Sequence, residues 1–589
     1  MKNKVKNFIL NNKTIAILAL SAILTADLVY FFGQLWTQNY ILLGIVWLGV
    51  FYVIKACLAS FNKRRMKFSL LFSIPLATTT LLGSKIQYPE GNIASFGLLD
   101  SIQLIALACF FFSAFVAFLG FVDKNSFSQT GNPARLKKHN WLILSAIIFV
   151  CWVPLFLSYF PGGVSVDSAV EIRQAIGESE LSNWHPVLHV LFLAIIINPI
   201  RWLTGSLTAG IALSVIIQML IFATILGYAV RWVILETNNK KIGCFLLLFY
   251  ALCPIVACYS ITIWKDILFS GIFLLLFIKT YELTKTTRRK ILSFKDIIPV
   301  VVLSILIAFL RNGGVLIVLI IGITLAAYFK KSRKLVAGLF GACIIFVILI
   351  QGPLYNAAGI ISSPFMESMS VPAQQIAYTI KNGNLTEAEY KSISELADPE
   401  MLAEKYEPIN GDPVKNVFYL TNAVQERKIE FIKLWFSILW HNVGSFLKAY
   451  ILHTYSYWYI QGPSWAIDLS HVHDDIWMQA DFNDYKLLGD FGFRLTQAIE
   501  IGNSRAIWGS WMANVGIMYW WVIMSVTVFL YEKKYKLLIP FSGVLIYMIL
   551  LLGASPISWI FRYVFSLLLI LPVATIIYFV KPAERKKHD

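Results

Sequence analysis

Charge is scarce in this chain: 14% of its 589 residues are Asp, Glu, Lys or Arg, against 58% that are hydrophobic. At a mean hydropathy of +0.68, one soluble core could not hide that apolar surface, which excludes an ordinary soluble domain. Cysteine offers no extracellular framework. All seven, Cys57, Cys109, Cys151, Cys244, Cys253, Cys258 and Cys343, fall in apolar segments, and no CxxC pair occurs. That pattern excludes a disulfide scaffold outside the membrane and a thiolate metal site. The sequence also lacks a P-loop and a GxGxxG turn, so neither phosphate-cradling motif points to a nucleotide. It has no internal repeat and no low-complexity tract.

Long apolar runs are what the chain does have. Runs of about 18 to 25 residues suit helices that cross a hydrocarbon core. They predict an all-α polytopic membrane protein with about fourteen transmembrane helices, near 13–33, 38–61, 67–84, 98–122, 139–160, 207–234, 241–260, 262–282, 293–310, 312–330, 333–350, 511–531, 536–553 and 558–580. Eighteen Trp and twenty-six Tyr fit the interfacial belts of such a protein. The four lysines within residues 1–13 resemble the start of a signal peptide, but no small-residue cleavage site follows, so an uncleaved first span is expected. The net charge of +17 gathers in short loops, where orientation and anionic membrane lipids account for it, and no nucleic-acid partner is expected.

Basic loops orient the chain. Segments 62–67, 124–138, 240–241, 285–290, 330–334, 533–536 and 581–587 should be cytoplasmic, with both termini inside a multi-pass cell-membrane protein. Residues 186–203 are apolar enough to cross, yet a crossing there would put 240–241 and later basic loops on the wrong side. With Asn198-Pro199 inside and Arg201-Trp202 at its end, this segment is expected to be a partly inserted or re-entrant helix on the outer side. Loops 161–185, 260–262, 311–314, 351–510 and the turn before Arg562 then face outward. Four regions result: an accessory transmembrane bundle (1–138), a core transmembrane region with a polar outer loop (139–350), an extracytoplasmic insertion of mixed helix and loop (351–510), and C-terminal transmembrane helices (511–589). Within the insertion, residues 431–459 form an aromatic amphipathic stretch suited to a membrane surface.

The outward loops carry the chemistry. Asp167 and Glu171 stand four residues apart, on one face of a helix if Ser165 caps it. Two such carboxylates can serve as a general base or clamp a divalent cation, or be ordinary acids near a helix start. His185-Pro186 opens the next apolar segment, as an interfacial histidine or as a hydrogen-bond donor to a substrate oxygen, with His189 one turn on. Lys265-Asp266 either neutralises itself at the interface or sets Lys265 on a phosphate and Asp266 on a hydroxyl. Arg311, followed by Asn-Gly-Gly, and Arg562 lie at outer membrane edges. Such arginines can snorkel harmlessly or present guanidinium forks to a phosphate. His471, His473 and Asp474, with Asp475, have the look of metal ligands, although such residues are common in polar loops without metal. No cofactor is required by these motifs, and a divalent metal stays open.

The order of these features resembles the GT-C superfamily of membrane glycosyltransferases, which includes the protein O-mannosyltransferases and the aminoarabinose transferases of lipid A. The catalytic Asp of that family's first outward loop corresponds to Asp167 in Pro161-Gly-Gly-Val-Ser-Val-Asp167, and its His-Pro-Pro helix start resembles His185-Pro186-Val187. Its Ser-Pro, Tyr and Asp pattern resembles Cys253-Pro254, Tyr259 and Asp266. The resemblance covers about residues 139–330 with Arg562, and the layout looks like that of Gram-positive bacterial membrane proteins. It implies transfer of a sugar from a polyprenyl-phosphate carrier to an extracytoplasmic glycan, lipid or protein of the cell envelope, by direct inverting displacement. Asp167 would be the base, and Arg311, Arg562 and Lys265 would hold the phosphate. The family's adjacent acidic pair is here Asp167 and a spaced Glu171, which leaves the role of Glu171 open. A transporter or flippase of lipid-linked saccharides is the alternative, and it predicts repeats and mid-bilayer charges. An assembly factor without chemistry fits the large outer loop alone.

Overall fold

The computed structural model describes residues 2–32, 40–88, 90–125, 140–285, 291–466 and 512–580, with positions 488 and 494. The metal-ligand set His471, His473 and Asp474 lies outside these described residues. The fold is that of an all-α polytopic membrane protein. Ten helices among the described residues are long and apolar enough to cross a bilayer, or eleven if one bent pair counts as a single span.

The N-terminal helices are α1 (Lys2–Phe32), α2 (Tyr40–Ser60), α3 (Lys63–Ser84) and α4 (Leu98–Lys124). The central region holds α5 (Asn140–Ser158), α6 (Val166–Ala175), α7 (Val187–Thr204), α8 (Leu207–Thr237), α9 (Lys240–Leu252), α10 (Pro254–Ser260), α11 (Lys265–Lys285), α12 (Phe294–Leu310), α13 (Gly314–Tyr328) and α14 (Arg333–Leu349). Polar caps start several of them: Asn62, Ser206 and Asn239 accept from backbone N–H groups of α3, α8 and α9, as helix starts require. Pro254, at the first position of α10, separates it from α9 with a bend of 56°.

Nine of the fourteen expected spans are among the ten, and the tenth is Val187–Thr204. The remaining five are not among them. The first, 13–33, falls but for its last residue within the 31-residue α1, Gly314–Tyr328 and Val515–Tyr531 are apolar helices of 10–17 residues, 241–260 is the bent pair, and α12 has 17 residues with Lys295 and Asp296 in its first turn.

Helix α7 packs against α6 and α8, and its Val190, Leu193 and Ile197 join the main core. His189, in its first turn, touches Glu171 of α6, and its Ile197 lies against Gly210 of α8. Further along α8, Gln218 donates to the carbonyls of Ser260 and Thr262 at 3.0 and 2.7 Å. Thus α7 and the first turns of α8 form a hairpin that departs from this level and returns to it. The rest of α8 from Gln218 is about 30 Å long at 1.5 Å per residue, close to a hydrocarbon thickness. It ends where Glu236 meets Lys285 (2.6 Å) and Tyr281 (2.8 Å) of α11.

That far end also gathers described residues in and flanking the basic segments. Arg65 bonds Asp123 and the Tyr531 hydroxyl there, and Ser332 accepts from the backbone of Leu292. Between the two ends the helices pack closely, as they must where lipid offers no hydrophobic drive. Trp152 stacks on Phe222 at 5.6 Å, and Gly227 approaches Ser145 too closely for any side chain.

Residues 355–458 form a helical lobe: α15 (Tyr355–Ala357), α16 (Ser370–Asn382), α17 (Glu387–Ser394), α18 (Pro399–Glu404), α19 (Asp412–Thr421), α20 (Ala423–Glu426), α21 (Lys428–His441) and α22 (Val443–Trp458). Its own core includes Ile376, Leu402, Phe418, Phe431 and Phe446. The chain closes with α23 (Val515–Tyr531), α24 (Leu538–Ala554) and α25 (Phe565–Tyr578). The lobe docks on the segment between α24 and α25. Gly411 N–H donates to Pro556 (2.7 Å), Ser558 N–H to Ile409 (3.2 Å), and Trp465 N–H to Trp559 (2.9 Å). The buried His453 ring reaches the carbonyls of Pro408 and Ser555. This segment leads directly into Arg562.

Candidate functional site

A glycine pair fixes the entry to the site. Gly163 N–H donates to the Ile261 carbonyl at 2.8 Å and the Gly163 carbonyl accepts from Ile263 N–H at 3.0 Å, which lays 160–164 along 261–263. A Cβ at Gly163 would meet Thr262 Oγ1 at 2.7 Å, and one at Gly162, whose φ is +126°, would meet Val215 at 2.6 Å and the Ile261 carbonyl at 2.8 Å. Gly162→Ala should therefore add the strain of a left-handed backbone, about 1–3 kcal/mol, to a steric clash. Gly177 also has positive φ (+80°) but nothing within 4 Å. Thermal unfolding in detergent should thus show a larger Tm loss for Gly162→Ala than for Gly177→Ala, and equal losses would show that the close approach does not matter.

Ser165 caps α6 as the spacing predicts. Its hydroxyl also accepts from Trp264 Nε1 at 2.6 Å, and Ser168 Oγ donates to the Ile263 carbonyl at 2.6 Å. These bonds fasten α6 to the start of α11, so Asp167 and Glu171 come to Lys265 and Asp266.

Three charge pairs result. Asp167 Oδ2 is 2.6 Å from Arg562 Nη2, and Asp266 pairs with Arg311. Glu171, 1% exposed, bonds His189 Nδ1 and lies 3.3 Å from His185 Nδ1 and 3.9 Å from Lys265 Nζ. Aromatic rings hold the guanidinium groups. Arg311 sits 5.4 Å from the centres of Tyr547 and Tyr563 and 5.6 Å from Phe269. Arg562 sits 5.2 Å from Trp264 and 5.4 Å from Tyr563, so one ring, Tyr563, borders both. Asn312 Nδ2 donates to the Trp184 carbonyl at 3.1 Å, tying the break after α12 to the loop that carries His185.

Burial alone would raise the Asp167 carboxyl, but the Arg562 guanidinium, followed by the Lys265 ammonium, overcomes it and holds the group down at about 2. Asp167 nevertheless keeps 31% of its side chain exposed, so it is both ionised and reachable. Burial also opposes ionisation of Glu171, and there His189, followed by the Lys265 ammonium, holds the carboxyl well below its ordinary range.

The structure thus brings together Asp167, Glu171, His185, Lys265, Asp266, Arg311 and Arg562. Sequence reasoning passed over Phe269 and Tyr547, whose positions inside apolar runs carry no mark, and the clamp of the lobe on 555–561. No group of three or more His, Cys, Asp or Glu among the described residues is placed to hold a metal. Each site carboxylate is already met by a cationic side chain, so these residues do not fit a divalent cation.

The fold and the site together define a polytopic helical membrane protein with a buried carboxylate–guanidinium cluster at the end of the bundle opposite Arg65, Lys285 and Ser332. The family model of DUF6020, a family of unknown function, matches residues 174–589, and the chain belongs to that family. The matched span takes in His185, Lys265, Asp266, Arg311 and Arg562 and begins after Asp167 and Glu171. No curated protein and no solved structure matches the chain.

Proposed function

We propose that this protein is a GT-C-type membrane glycosyltransferase of the cell membrane, moving a sugar from a polyprenyl-phosphate carrier to an extracytoplasmic acceptor of the cell envelope. One observation carries the reading: residues as distant in sequence as Asp167, Asp266, Arg311 and Arg562 meet as two guanidinium–carboxylate pairs sharing Tyr563. Two planar forks beside one another suit a phosphate oxygen set. A phosphate entering between them would compete with Asp167 for Arg562 and leave the carboxylate free to accept a proton. The acceptor hydroxyl oxygen then attacks the anomeric carbon, the bond from that carbon to the phosphate oxygen breaks, and the hydroxyl proton passes to Asp167. Arg311, Arg562 and Lys265 stabilise the departing phosphate, and Glu171 anchors His189 and faces Lys265. Purified protein supplied with donor and acceptor should release free polyprenyl phosphate; movement of intact donor across liposomes without release would mark a flippase.

The positive-inside rule places the basic end in the cytoplasm and the site outside. In a fourteen-span topology α7 stays on the outer side, which accords with its departure from the site level. Single-cysteine labelling in a cysteine-free background should modify Glu400→Cys in intact cells and Thr287→Cys only after lysis. The reverse pattern would invert the topology and with it the face of the site.

A further inference from the structure

His185 Nδ1 has one in-plane lone-pair position and two neighbours that compete for it: Lys265 Nζ at 2.7 Å and Glu171 Oε1 at 3.3 Å. An ammonium can only donate, and a carboxylate can only accept. The shorter contact decides, so Nδ1 accepts from Lys265, and the proton of a neutral ring must then be on Nε2. Glu171 has another donor, since its Oε2 takes a hydrogen bond from His189 Nδ1, and its Oε1 faces the Lys265 ammonium at 3.9 Å. The two histidines differ at their other nitrogen. His189 Nε2 is sealed without a partner, whereas His185 Nε2, also unpartnered among the described residues, is not sealed. The ring is further fixed by stacking on Trp184, with centroids 5.9 Å apart and planes 15° apart.

We infer that His185 is a neutral imidazole locked by Lys265 as the Nε2–H tautomer, and that it presents this N–H as a hydrogen-bond donor to an oxygen of the bound substrate. Lys265, with Glu171 and His189 behind it, is the positioning group: it determines which nitrogen carries the proton. The donor role rests on the glycosyltransferase reading, where the matching oxygen belongs to the sugar or its phosphate. The tautomer does not.

Nitrogen-15 spectra of histidine-labelled protein in bilayers, with the His185 signals assigned by difference from His185→Gln, test the tautomer without any substrate. The expected pattern is a protonated Nε2 and a bare Nδ1. In Lys265→Met the proton should move to Nδ1, toward Glu171, and in Lys265→Arg, which keeps a donating cation, it should stay on Nε2. A wild-type ring protonated on Nδ1, or on both nitrogens, would overturn the proposal. So would a Lys265→Met ring that keeps its Nε2–H. The wild-type spectrum decides even if a variant fails to fold. If carrier release is found, His185→Glu, an acceptor of similar reach, should raise KM for the lipid donor about tenfold or more above that of His185→Gln, which keeps an N–H. Equal KM values would remove the donor role and leave the glycosyltransferase reading standing.

Discussion

Asp167→Asn should lower turnover by about a hundredfold or more, the usual scale for losing a general base, while the protein stays folded. The amide keeps the shape and can still accept from Arg562, so the 2.6 Å contact survives in neutral form. Carrier release measured against an expression-matched wild type checks this, and near-normal transfer would take Asp167 out of the mechanism. The same pair has a pH signature. Because the Asp167 carboxyl is lowered from 3.8 to about 2 in the fold, pairing contributes stability in full above about pH 4 and loses it as pH falls toward 2. Thermal unfolding of wild type should therefore fall more steeply than that of Asp167→Asn across that window.

Arg311→Lys and Arg562→Lys should each cut kcat/KM for the lipid donor by about ten- to a hundredfold, the range of a charged hydrogen bond. A lysine keeps the charge but lacks the fork, and it would also alter the cation–π contact with Tyr563 that both arginines make at 5.4 Å. The double variant should fall short of the sum of the two losses, because the groups serve one phosphate. Full additivity, or wild-type kinetics in both single variants, would separate the two arginines from a common site.

Much of this site could be read from the chain because charges are so rare in it. A Lys, Asp or Arg at the edge of an apolar run stands out, which is how Asp167, Lys265, Asp266, Arg311 and Arg562 became visible. Their pairing could not be read: Arg562 reaches Asp167 across 395 residues of chain, and nothing local encodes that. Hydropathy also counts apolar residues without measuring helices. It does not show that residues 241–260 bend at Cys253-Pro254 or that α13 has only 15 residues. The helical lobe was the least legible part, since its short helices alternate polar and apolar residues on a scale that a span search ignores. Its core around Phe418, Phe431 and Phe446 is formed by contacts distant in sequence.

The central claim is that the Asp167–Arg562 and Asp266–Arg311 pairs enclose the phosphate of a lipid donor. It is tested most directly by an experimental structure with a sugar-bearing polyprenyl phosphonate, which cannot turn over. The account predicts phosphonate oxygens on both guanidinium groups and Asp167 released from Arg562 toward the anomeric carbon. An analogue bound elsewhere, with both ion pairs intact, would contradict it.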